Sequence, residues 1–215
     1  MAISLALVVL VWRKGSWTFG SKIFCYVLLS MMLWSLVTFG MRSSPDVHQA
    51  VLWDRLVPTF GFALLVLYYH FSLAYTGNKG QRGILFASYL ALVIFIALTP
   101  TPLVVVRMVL ADYGYTPVLG PAGYSLAVGT LLMGAAIYNI LRRYRVSSSY
   151  EERNRLLYLA IAALFPIAGG LIDGFSNLPP AAIWANLIFC IICSVVILKY
   201  HLLDIRVVIR KSLVY

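Results

Sequence analysis

The chain is a succession of long apolar runs broken by short polar and turn-forming punctuation, and its threading is that of alternating membrane spans. A helix that crosses a bilayer needs about 20 mostly apolar residues, at 1.5 Å rise over roughly 30 Å of hydrocarbon. Six runs meet this loosely: Lys22 to Gly40, Val57 to Tyr75, Gly83 to Thr99, Tyr124 to Leu141, Leu156 to Asp173 and Ile183 to Tyr200. The opening run, Met1 to Trp12, is a shorter seventh. It implies either a clipped N-terminus or a thinned bilayer in which Arg13 and Lys14 snorkel. A cleaved signal peptide fits it poorly, because the basic residues follow the apolar stretch instead of preceding it.

Interfacial and turn residues agree with these limits. Trp12 and Trp17 flank the first loop, Trp53 and Trp184 fall near one edge, and Tyr75 and Tyr200 close two spans at the other. Tyr75-Thr76-Gly77-Asn78-Lys79-Gly80 reads as a tight loop, and Asn177-Leu178-Pro179-Pro180 as a turn that no helix could cross. The longest connection, Thr99 to Gly123, is different in kind. Leu103 to Leu110 is rich in β-branched residues, Asp112-Tyr113-Gly114-Tyr115 is a turn cluster, and Thr116 to Leu119 is a second short run. The pattern predicts a β-hairpin between the fourth and fifth spans, with a short surface helix as the alternative.

Composition excludes the soluble classes. At 62% hydrophobic and 11% charged, the chain departs far from the roughly 45–50% apolar and 25% charged of globular domains. The net charge of +10 is distributed unevenly along the threading. Arg13, Lys14, Lys22, Lys79, Arg82, Arg142, Arg143, Arg145, Arg153, Arg155, Lys199, Arg206, Arg210 and Lys211 fall on one side, and only Arg42, Arg55 and Arg107 on the other. By the positive-inside rule the crowded side is cytoplasmic, so the N-terminus is outside and the C-terminus inside. This positive charge faces membrane lipid headgroups, and no nucleic-acid partner is implied. The expectation is an all-α, multi-pass protein of the cell (cytoplasmic) membrane. Residues 1–200 form one seven-transmembrane bundle with an outer hairpin, and residues 201–215 leave it as a cytoplasmic helix.

Few residues offer chemistry. His70 and His201 share a depth that a haem would need, but no further ligands or carboxylate shell accompany them, so a haem or metal there is disfavoured. Cys25, Cys190 and Cys193 are odd in number and lie inside spans, which favours packing over a disulfide framework or a redox pair. Retinal is excluded, since the last span carries its one lysine, Lys199, at the rim. No acid or base falls at the centre of a span and no inverted repeat is evident, which argues against an ion-coupled transporter. What remains is a polar and aromatic rim at the outer mouth. Trp53, Asp54, Arg55, Arg107, Tyr113, Asp173, Asn177, Trp184 and Asn186 are candidate ligand contacts there, or else headgroup-level anchors. Pro166 with Gly169 and Gly170 marks a candidate hinge, or a static kink, in the sixth span.

Several short motifs at span ends carry a resemblance. Trp34-Ser35-Leu36, Tyr75-Thr76-Gly77, Arg153-Asn154-Arg155-Leu156-Leu157-Tyr158 and Lys199-Tyr200-His201-Leu202-Leu203-Asp204-Ile205 occur in that order. The chain resembles the seven-transmembrane N-terminal input region of bacterial sensor histidine kinases. The resemblance implies a sensory module of a two-component system, coupled to a cytoplasmic signalling domain or partner protein, and offers no catalytic residues to carry over. No phosphoacceptor His on a helical hairpin and no Gly-rich ATP lid occurs before Tyr215. The residues at hand are thus not an enzyme, and are expected to be either a fragment of a longer receptor or a stand-alone membrane subunit. Beyond His201, a helix would align Leu202, Ile205, Val208, Ile209 and Leu213. That stripe suits either a homodimeric signalling helix or the inner headgroup layer. Two functions follow: a sensor that binds a small apolar or amphipathic molecule near the outer face, or an accessory subunit anchoring a larger membrane complex.

Overall fold

The computed structural model describes residues 2–14, 19–175 and 181–200. In chain order it contains α1 (Ala2–Lys14), α2 (Phe19–Arg42), α3 (Val47–Asp54), α4 (Val57–Thr76), α5 (Arg82–Leu98), β1 (Val105–Ala111), β2 (Gly114–Leu119), α6 (Ser125–Val146), α7 (Tyr150–Phe175) and α8 (Ala181–Tyr200). Four stretches are long and apolar enough to cross a bilayer: Phe19–Arg42, Val47–Thr76, Ser125–Val146 and Tyr150–Asp173. Arg82–Leu98 and Ala181–Ile197 are shorter apolar helices. The expected loop at Asn177 to Pro180, Trp17, His201 and the exit helix over 201–215 lie outside the described residues.

At the centre stands α4, which packs against α2, α5 and α6. It buries Phe62, Leu64, Tyr68, Tyr69 and Phe71, which cover roughly half of the helix circumference at 3.6 residues per turn, a broad face that suits a helix packed against several others. Where helices approach closely the residues are small. A Cβ on Gly129 of α6 would come within 2.8 Å of Phe62. One on Gly169 of α7 would lie 2.6 Å from Ala185 Cβ and 2.8 Å from Ala182 Cα on α8. Lipid tails are as apolar as the side chains themselves, so such close packing and interhelical hydrogen bonds, not water exclusion, hold spans together. The bonds are present: Tyr68 donates to the Leu159 carbonyl at 2.8 Å, Ser30 to the Phe60 carbonyl at 3.0 Å, and Asn186 to Ser35 at 3.2 Å. The cysteines are free, and Cys190 lies 3.2 Å from the Ser4 hydroxyl. By contrast α5 packs chiefly on α4 and exposes Phe86 (72%) and Val93 (63%), a surface suited to hydrocarbon and not to water.

The hairpin is formed as the β-branched run predicts, with a tighter turn. Antiparallel pairing runs from Val105 with Leu119 to Ala111 with Gly114, leaving Asp112 and Tyr113 as the two-residue connection. Gly114 has φ +101°, and a Cβ there would collide with the Arg42 carbonyl, so the turn requires glycine and also presses on the end of α2. The sequence threading omits α3. Asp46 caps it, its carboxylate accepting from the Gln49 amide at 2.9 Å, and Asp46 followed three residues later by Gln49 is a helix-start signature legible in the sequence. Against this small helix and the end of α2 the hairpin docks.

Gly169→Ala should lower the thermal stability of the purified protein by about 1–3 kcal/mol, since α7 and α8 must separate to admit the methyl. Gly134→Ala, where a Cβ meets nothing within 4 Å, should leave it unchanged or slightly raised; melts followed by tryptophan fluorescence compare the two.

Candidate functional site

At the hairpin end, α2, α4, α6 and α7 diverge around a cavity of about 150 Å³. Its walls are mainly apolar, with Met41 from α2, Pro58, Leu64 and Leu65 from α4, Leu119 from β2 and Ile167 from α7. Small residues keep it open. Gly61 and Gly170 flank Trp34, with Cβ positions 3.8 Å and 3.5 Å from its ring, and larger residues there would drive the indole aside. Set into these walls are Thr38, Arg42, Asp54, Thr130 and Asp173.

The three charged groups differ in how far they are already engaged. Arg42 donates from Nη1 to Thr116 Oγ1 at 3.1 Å, and its guanidinium lies 4.9 Å from the centre of the Tyr113 ring, so α2 and the hairpin hold it between them. Asp173 accepts from the amides of Ala181 at 2.6 Å and Ala182 at 3.3 Å. Its carboxylate therefore satisfies the first free N–H groups of α8, where the helix dipole favours a negative charge. Asp54 is otherwise. It is 2% exposed, its Oδ1 has no hydrogen-bond partner, and no described Lys or Arg lies in ion-pair contact with it.

The rim expected from sequence divides accordingly. Asp54 and Asp173 line the cavity, while Tyr113 reaches it only through Arg42. Trp53 packs its indole on Gly40, whose Cβ position is 2.6 Å away, and so fastens α3 to α2. Arg55 and Arg107 are exposed, as is Trp184. Asn186 is buried at the α8–α2 contact, and Asn177 lies outside the described residues. Of the candidate hinge, Pro166 and Gly170 line the cavity and Gly169 sits in the α7–α8 contact; α7 runs continuously through all three. His70 shares a hydrogen bond of 2.8 Å with the Tyr89 hydroxyl, and no cluster of three metal-ligating side chains occurs among the described residues.

A bundle that encloses a partly apolar cavity at one end, beneath a hairpin, belongs with receptors as readily as with carriers, and comparison decides the family. The family model for the N-terminal 7TM region of histidine kinase matches residues 1–206. The chain belongs to that family. Comparison with curated proteins and with solved structures returns no match in either. The family is one of sensory N-terminal regions and not of catalytic domains, and with the apolar helices it makes the chain a membrane protein. The cavity is consequently the first place to look for what the region senses.

Because Asp173 caps α8, Asp173→Ala should cost about 1 kcal/mol or more of ligand-free stability. Trp184→Ala, which removes an exposed ring, should leave the melting temperature near that of the parent. A differential scanning measurement on both variants distinguishes the structural carboxylate from the surface aromatic.

Proposed function

We propose that the chain is a seven-span input module of the cytoplasmic membrane, with its N-terminus and hairpin outside and its basic loops inside. It takes a small apolar or amphipathic molecule into the hairpin-end cavity and passes the change to a cytoplasmic signalling partner. Orientation follows from the charges: Arg142, Arg143, Arg145, Arg153 and Arg155 crowd the α6–α7 end, away from the hairpin. Lipid covers the exposed faces of α5 and α6, and a second copy of the chain is the natural partner for a signalling helix beyond α8. No prosthetic group is needed for this reading.

One observation carries it. The cavity wall contributed by α7 comprises Pro166, Ile167, Gly170, Leu171 and Asp173, so a bound molecule presses on the turn where proline has removed a backbone hydrogen bond. The same helix ends at the basic loop, where Glu152 bridges Arg143 and Ser147 at 2.9 Å and 2.6 Å. A second polar knot ties the neighbouring loop to α6: Gln81 Oε1 accepts from Tyr69 at 2.8 Å and from Asn139 at 2.9 Å. A change in the pitch of α7 would therefore be felt by α6 and, through Asn139, by the α4–α5 loop. Pro166, Gly169 and Gly170 are in this reading the hinge.

Spin labels at Lys79 and Leu157 test the relay. Ala127→Trp, which puts an indole into the cavity from α6, should shift their separation by about 1–2 Å, the scale on which packed helices move. Tyr138→Trp, on the exposed side of α6, should not. Identical distance distributions for both variants would refute coupling between cavity and basic end.

A further inference from the structure

The charge inventory of the cavity is unbalanced, and this bears on what it binds. Two carboxylates, Asp54 and Asp173, line the cavity with one guanidinium, Arg42. Arg42 already has Thr116 and the Tyr113 ring, and Asp173 is the carboxylate whose field it feels. Asp173 in turn is held by two amides of α8. Although Arg42 Nε is buried without a hydrogen-bond partner, Arg42 and Asp173 thus answer one another in charge. Asp54 does not: it is the buried carboxylate left with an oxygen that nothing satisfies, and leaving such a group unpaired away from water is costly.

A site of this composition fits a particular chemistry. Its volume of about 150 Å³ is that of a cavity that accepts a benzene-sized body. Trp34 and Tyr124 contribute aromatic surface to the lining, which suits a cation as well as an apolar group. Resting on the reading of this cavity as the ligand site, we propose that it takes a small organic amine, an ammonium group bound at Asp54 with an aromatic or short alkyl body among the apolar walls. The ammonium supplies the hydrogen-bond donor and the positive charge that Asp54 lacks. An anionic ligand could reach the unpartnered Nε of Arg42, but it would share the cavity with two carboxylates against that one guanidinium.

Binding to the whole chain in lipid nanodiscs tests this with three probes of one shape: benzylamine, benzyl alcohol and benzoate, each followed by calorimetry and thermal shift. Benzylamine should bind tightest. Asp54→Asn should weaken it about tenfold or more, as loss of a charged hydrogen bond implies, while benzyl alcohol changes by less than about threefold. Equal affinity for amine and alcohol, or tighter binding of benzoate, overturns ammonium recognition but leaves the cavity a ligand site. Failure of all three probes to bind overturns the cavity as a ligand site, and the amine with it. Should Asp54→Asn not fold, the ranking of the three probes on the unmodified protein still decides.

Discussion

The seam of α4 against α2 and α6 is the contact from which the remaining geometry follows, because each wall of the cavity is placed by it. Beside and below the cavity the seam is tight. Gly129 lets α6 approach Phe62, Ser30 bonds the Phe60 carbonyl, and Tyr68 reaches across to α7. Without water to drive apolar groups together, these steric and polar fits fix the helix positions. Toward the hairpin the fit is deliberately incomplete: Gly61 and Gly170 leave room around Trp34, and the hairpin covers the gap that results.

That gap is also where the ionisable groups of the bundle gather. A buried charge without a partner is expensive, and a fold keeps one where it has a use. Arg42 and Asp173 earn an ordinary structural explanation, one tying α2 to the hairpin and the other starting α8. Asp54 sits at the end of the short α3, a helix that the hairpin holds in place, and no such explanation covers its free oxygen. The helix opposite, α7, contributes its proline turn to the same cavity. An unpartnered carboxylate and a proline turn thus meet in one small volume, which is what the proposed sensor needs.

Much of this was legible in the sequence, and unequally so. The apolar runs correspond to the helices α1, α2 and α4 to α8, but α6 continues past Leu141 to Val146 and α7 begins at Tyr150, before Leu156, because charged helical turns at the basic end carry no apolar signal. The hairpin was legible from its β-branched run and turn cluster. The missing element, α3, is eight residues long and carried its signal in Asp46 and Gln49, not in periodicity. For the site, depth brings Asp54 and Asp173 to the level of the cavity that they line, but depth says nothing of direction around a helix. Hence Trp53, Arg55, Arg107 and Trp184 share the level of the cavity and do not line it, whereas Trp34, Thr38 and Thr130 line it from within runs that read as packing. Arg42 counted in the sequence only as a charge on the sparse side, and its role depends on Thr116 and Tyr113, which are distant in sequence.

Sensing across a membrane depends on sidedness: the hairpin and cavity must face out and the basic loops in, or a ligand and a kinase would meet on the same side of the membrane. Single cysteines at Asp112, in the hairpin turn, and at Ser148, between α6 and α7, measure this directly in a background free of Cys25, Cys190 and Cys193. With an impermeant maleimide on intact cells, Asp112 should label at once and Ser148 only after permeabilisation. Labelling of both positions from outside, or of Ser148 alone, would contradict the threading and the function built on it.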